Sequence, residues 1–288
     1  MKKSIIIFLV FCGIVFGEDY TATNPLQFLK IKDPFSYVST YPSFENPSSF
    51  GRAGFKEISL SYNSYLAGID ISSISYVHPT EELGGFGINL LYLKTPDTIR
   101  TRDGGVKDEK FSCSDMLLTI GYGKKISQGI AIGSSFKFIR EKIDKDSANT
   151  FCFDFGMQYK PFIKDITIGL CASNFGKSIK YIDEKEDLPI TIKGGISINS
   201  LENTLTTSIG LDKSIDSPVI LHLGVCHKLM NRIFLRAGYS TGQDVGIGLS
   251  FGLGFKLSRY FLDVSCLPFG ELGNTISCSF SIKFIEEE

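Results

Sequence analysis

The residues able to do chemistry in this chain are few, and their spacing assembles no catalytic centre. Its histidines are His78, His222 and His227. Cys226 directly precedes His227, but on a regular strand His222 and His227 point to opposite faces, so no first coordination sphere forms around a metal. Beyond Cys12 the cysteines are Cys113, Cys152, Cys171, Cys226, Cys266 and Cys278, with neither paired nor metal-type spacing. They read as small residues buried in, or lining the inside of, strands. Gly252-Leu253-Gly254 sits within a strand pattern and opens no helix, which removes a dinucleotide reading. A hydrolase in a barrel wall needs a serine–histidine pair, and no partner is arranged by sequence around any histidine. The acidic tract 183–187 lies in a polar connection and reads as solvated charge, with a calcium or lipopolysaccharide contact as the alternative. The expectation is a chain that is not an enzyme and needs no cofactor or metal.

The elements that carry these residues alternate with period two. In Asn274–Phe284, Ile276, Cys278, Phe280, Ile282 and Phe284 share one face, and Thr275, Ser277, Ser279, Ser281 and Lys283 share the other. Such a segment is long enough to cross a bilayer, which takes about 9–11 tilted residues. The composition is skewed the same way, with 24 Phe, 12 Tyr, 29 Gly and no Trp. Strands are expected at 56–65, 69–78, 85–94, 114–124, 129–140, 150–160, 165–174, 188–199, 204–212, 218–228, 232–241, 245–257, 260–267 and 274–284. That makes fourteen, an even number, as single-chain bacterial barrels have. The register of 69–78 is not fixed by its pattern. The long polar connections 95–113, 141–149 and 175–187 all fall on one end of an up-and-down barrel, and the joints 125–128, 161–164 and 229–231 on the other are tight. A soluble two-sheet sandwich would explain the alternation, but its strands average nearer five or six residues. Its solvent face would also carry Lys, Glu and Thr rather than Gly and Ser.

The fold class expected is therefore all-β: a transmembrane antiparallel up-and-down barrel of about fourteen strands over 55–288. By parity Lys137, Asp154, Lys193, Asp212, Arg236, Lys256 and Lys283 face the lumen, with His222 near them. Lipid-facing Lys or Arg would cost about 2–4 kcal/mol at mid-membrane. These groups are expected to form interior ion pairs packed against the chain's start, or a solute-selecting lining. A net charge of −1 argues against nucleic acid as a partner.

Residues 1–17 read as a signal peptide: Lys2 and Lys3, an apolar run over 5–16, then Gly17. Residues 18–54 are punctuated by Pro25, Pro34, Pro42 and Pro47 and read as a short plug or hatch inside the barrel. Gln27-Phe28-Leu29-Lys30-Ile31 resembles the F-L-K-I opening of the PorV/PorQ-type outer-membrane proteins. Asn46-Pro47-Ser48, followed by 55–79 with its Y-N-S-Y-L-A-G-I-D-I-S-S-I-S-Y core, is similar to the N-P-A segment and first hairpin of that family. The family resembles in turn the FadL group of hydrophobic-compound transporters. The interval 32–45 lacks the glycine-rich stretch the family places there. The resemblance implies a barrel in the outer membrane, surrounded by its lipid and folded by the barrel assembly machinery through a terminal aromatic residue, here Phe284. It implies passive binding or transport of small hydrophobic molecules, or docking of a secreted protein partner in an export system. The plug motif would be Phe28, Leu29, Lys30, Ile31, Asn46 and Pro47.

Overall fold

The computed structural model describes residues 43–101, 107–162, 165–181, 184–215, 217–241, 247–270 and 273–284. The expected signal peptide and Phe28, Leu29, Lys30 and Ile31 lie outside the described residues.

The strands, in chain order, are β1 (Lys56–Ser64), β2 (Asp70–Thr80), β3 (Gly84–Lys94), β4 (Thr98–Thr101), β5 (Lys107–Phe111), β6 (Cys113–Lys125), β7 (Ile130–Ile143), β8 (Asp146–Tyr159) and β9 (Ile166–Gly176). There follow β10 (Ile179–Tyr181), β11 (Glu184–Glu186), β12 (Thr191–Ser200), β13 (Leu205–Ser214), β14 (Val219–Leu229), β15 (Ile233–Ser240), β16 (Leu249–Leu257), β17 (Tyr260–Pro268) and β18 (Asn274–Phe284). Fourteen of them close into one barrel, each antiparallel to the next, while β4–β5 and β10–β11 form separate two-stranded ribbons in two connections. Closure is made by β18 against β1, where Lys56 pairs with Phe284 and Ser64 with Ile276. Every barrel strand therefore has a hydrogen-bonded neighbour on both sides, as a sheet crossing hydrocarbon requires.

The outer face explains the alternation. Ile58, Leu60, Tyr62, Ile74, Ile88, Leu90, Phe153, Phe155, Ile196, Ile209, Phe255, Val264 and Phe280 all point outward and are exposed. An apolar surface of that extent fits hydrocarbon rather than water. One end of the barrel carries the short turns at 81–83, 126–129, 201–204, 230–232 and 258–259; the other carries both ribbons.

Several sequence boundaries are corrected. The connection expected at 141–149 is a tight turn, because β7 and β8 pair from Ile143↔Asp146 onward, with Asp144 in left-handed backbone (φ 55°). Residues 188–190 lie outside β12, with Pro189 ending the pattern. The strand expected from 245 starts at Leu249, where Gly248 (φ 70°) turns the chain. β2 runs on through Pro79, and its register places Ile71 and Val77 inward as buried residues and Ile74 and Tyr76 outward. Of the cysteines, Cys113, Cys152 and Cys171 are buried, whereas Cys266 and the exposed Cys278 stand on the outer face rather than the lumen; all six are free thiols.

Candidate functional site inside the barrel

The paired residues of β3, β6, β7 and β8 form rows that run around the inner wall. Nearest the short-turn end is Gly85–Gly123–Gly133–Gly156, and the next row is Gly87–Gly121–Ser135–Asp154. Then come Asn89–Thr119–Lys137–Cys152 and Leu91–Leu117–Ile139–Thr150. Nearest the ribbons lies Leu93–Asp115–Glu141–Ala148. The lumen is thus graded along its axis from glycine, through polar, to apolar and acidic.

The glycine rows are a seat. Residues Pro47–Arg52 form a short 3-10 turn whose N-cap, Asn46, accepts from Ser48 N (3.2 Å) and Ser48 Oγ (2.7 Å), with Pro47 preset at the first position. Asn46 is fully buried, and its amide donates to the carbonyls of Met157 (3.4 Å) and Leu170 (3.3 Å), residues paired across β8 and β9. Phe50 is 1% exposed and lies in an edge contact with Phe44 (5.0 Å between centroids). A Cβ at Gly87 or Gly121 would fall within the Phe50 ring, at Gly133 on the Pro47 backbone, and at Gly156 on the Asn46 amide. The described part of the chain's start fills the volume that these glycines leave. Arg52 Nη2 donates to Gly129 O at 2.6 Å.

Above the seat, a bulge in β9 opposite β8 organises a buried latch. Asn174 adopts left-handed backbone (φ 69°), and its N–H donates to Asp154 Oδ1 at 2.9 Å. Lys137 Nζ lies 2.7 Å from Asp154 Oδ2 and donates to Asn174 Oδ1 at 3.1 Å. Asn174 Nδ2 then donates to Pro189 O at 2.9 Å, an acceptor shared with the Thr191 hydroxyl at 2.9 Å. The latch ties down residues 188–190 and with them Leu188, which packs on Ile69, Ile71, Leu93, Leu117, Ile139 and Cys152 in a buried apolar cluster. Tyr65 and Leu91 flank it. Six members come from the wall or its margin; Leu188 covers them from the connection.

The other charges assigned to the lumen by parity have the following neighbours. Lys193, 2% exposed, pairs with Glu45 of the chain's start. Asp212 Oδ2 is 3.5 Å from His222 Nε2, and His222 Nδ1 is 2.8 Å from Ser240 Oγ. Arg236 pairs with Asp263. Lys256 stands over the Phe261 ring (5.5 Å), as does Lys283 (4.2 Å), which is also 3.6 Å from Glu57. Phe284 closes the seam on the outer face and is exposed.

Two features were missed. The serine–histidine–carboxylate relay has no local sequence signal, because its members come from three strands, β13, β14 and β15. Ser240 is 2% exposed, so the relay fixes the ring within the wall in this conformation. The apolar inner rows did leave a signal: Leu90-Leu91, Leu117-Leu118 and Phe138-Ile139 break alternation with adjacent apolar residues, as strands buried on both faces do.

The described residues thus form a closed fourteen-strand antiparallel barrel with the segment 43–52 seated inside it. No family model and no curated protein matches the sequence. Among solved structures, the Pseudomonas putida toluene transporter TodX superposes with TM-score 0.61 at 12% identity, covering 86% of this chain and 94% of that one. The CymD monoaromatic hydrocarbon channel does so with TM-score 0.60 at 9% identity, covering 88% and 94%. A Pseudomonas aeruginosa FadL homologue gives TM-score 0.58 at 12% identity, covering 88% and 96%. At these identities the likeness is one of fold.

Proposed function

We propose that this chain is an exported outer-membrane barrel of the PorV/PorQ, FadL-like type that binds small hydrophobic compounds in its lumen and passes them passively. The observation that carries the reading is the buried apolar cluster on the inner wall beneath Leu188. A water-filled pore is lined by polar side chains; an apolar interior zone serves ligands without hydration shells. The names of the neighbours, a toluene transporter and a monoaromatic hydrocarbon channel, support it. Movement past the plug would need the 43–52 segment to leave its glycine seat, or the wall to part beside the β8–β9 bulge, where pairing is interrupted. The signal peptide would deliver the chain to the envelope, and Phe284 would present it to the barrel assembly machinery. The test is accumulation of radiolabelled toluene by cells carrying the barrel. Leu117→Glu should abolish the gain over cells without it, and an unchanged gain would refute the reading.

A second reading is a docking component of a protein secretion system. It is favoured by the β4–β5 and β10–β11 ribbons, which extend the connections of one end beyond what the barrel needs. It predicts a stoichiometric protein recovered with the barrel from solubilised outer membranes and lost when 95–113 is replaced by a short turn. Recovery of the barrel alone would oppose it.

A further inference from the structure

Resting on that reading, we infer that the lumenal site selects apolar molecules bearing a cationic, hydrogen-bond-donating head, such as alkylamines, over fatty acids. Asp115 and Glu141 are directly paired across β6 and β7, and both face the lumen at 2% and 3% exposure. Among the described residues, Asp115 Oδ1 and Glu141 Oε1 are buried without a hydrogen-bond partner, although Asp115 accepts one bond from the Lys142 backbone. The residues flanking the pair in its row are Leu93 and Ala148, so neither flank supplies a cation. Glu186 on β11 adds charge of the same sign near Glu141.

Two buried carboxylates side by side are unfavourable as a doubly charged pair unless they take up a proton or share a positive group. The row next to the pair is Leu117–Ile139, two residues along each strand, or about 7 Å away. A ligand whose tail enters the apolar cluster therefore brings its head beside both orphaned oxygens. An ammonium has three donors to satisfy them. A carboxylate head would meet like charge, and a hydroxyl could satisfy only one oxygen.

The test uses the folded barrel in phosphatidylcholine nanodiscs, with radiolabelled octylamine, octanol and octanoate in equilibrium dialysis against empty nanodiscs. Octylamine should bind about tenfold or more tighter than octanol, the return of a charge-assisted hydrogen bond, and octanoate should be weakest. The near-isosteric double variant Asp115→Asn with Glu141→Gln should remove the preference and reduce octylamine to the level of octanol. Equal octylamine binding by the two proteins, or octanoate matching octylamine, overturns the inference. Retention of radioactive calcium by the parent but not the variant, without octylamine binding, also overturns it and makes the pair a metal seat. Failure of octanol itself to bind counts instead against the hydrophobic-ligand reading, so the two failures are distinguishable.

Discussion

Removing the ring of Phe50 should undock the described start of the chain without opening the wall. The ring is 1% exposed, lies over Gly87 and Gly121, and is the largest side chain that the 3-10 turn buries. Phe-to-Ala changes at such positions cost about 3–5 kcal/mol. The barrel's strand ladders do not involve Phe50, so nearly all of that loss falls on docking. The undocked population then rises by about two to four orders of magnitude. Limited trypsin cleavage after Arg52 reads this population when opening is fast relative to cutting, and Phe50→Ala should accelerate it accordingly. Gly121→Ala places a methyl inside the ring's volume and should cost about 1–3 kcal/mol by overpacking. In Phe50→Ala with Gly121→Ala the new methyl enters vacated space, so the double variant should cost less than the sum of the two singles. Strict additivity, or cleavage rates unmoved by Phe50→Ala, would refute the glycine-seat reasoning.

The outer wall and the latch give three more expectations. Ile88→Arg, mid-strand on the outer face of β3, should cost about 2–4 kcal/mol in urea unfolding from lipid vesicles, whereas the same change at inward Asn89 should cost less. Lys137→Met leaves Asp154 buried without its cation and should destabilise the folded barrel by about 3–5 kcal/mol, and pairing it with Asp154→Leu should recover most of the loss. In vesicles a charged maleimide should leave Cys113, Cys152, Cys171, Cys266 and Cys278 unmodified, the first three by burial and the last two by lipid, and label them all in denaturant.

Where one side of a strand is wholly apolar, the sequence was enough to read the fold. β18 alternates without error from Thr275 to Phe284, and its pairing with β1 and β17 follows. The inward assignment of the charges rests on the same parity, since a lipid-facing Lys137 or Lys193 would be too costly. Two of the boundary errors came from backbone left-handedness, at Asp144 and Gly248, which residue type alone does not force. The seat was illegible because it joins glycines from four strands to one turn far away in sequence. Only contacts between Gly121 and Phe50, or Gly156 and Asn46, reveal that the small residues are small to make room. The latch depends on Asn174 standing in a bulge, and the acidic pair on β6 and β7 being in register; neither leaves a periodic trace.

The most direct test of the central claim, that apolar ligands lodge within the barrel, is a crystal of the protein soaked with iodobenzene and measured for the anomalous signal of iodine. The account predicts a peak among Leu93, Leu117, Ile139 and Leu188, lost in Leu117→Glu crystals. Peaks confined to the outer wall, with the cluster closed and unchanged, would contradict it.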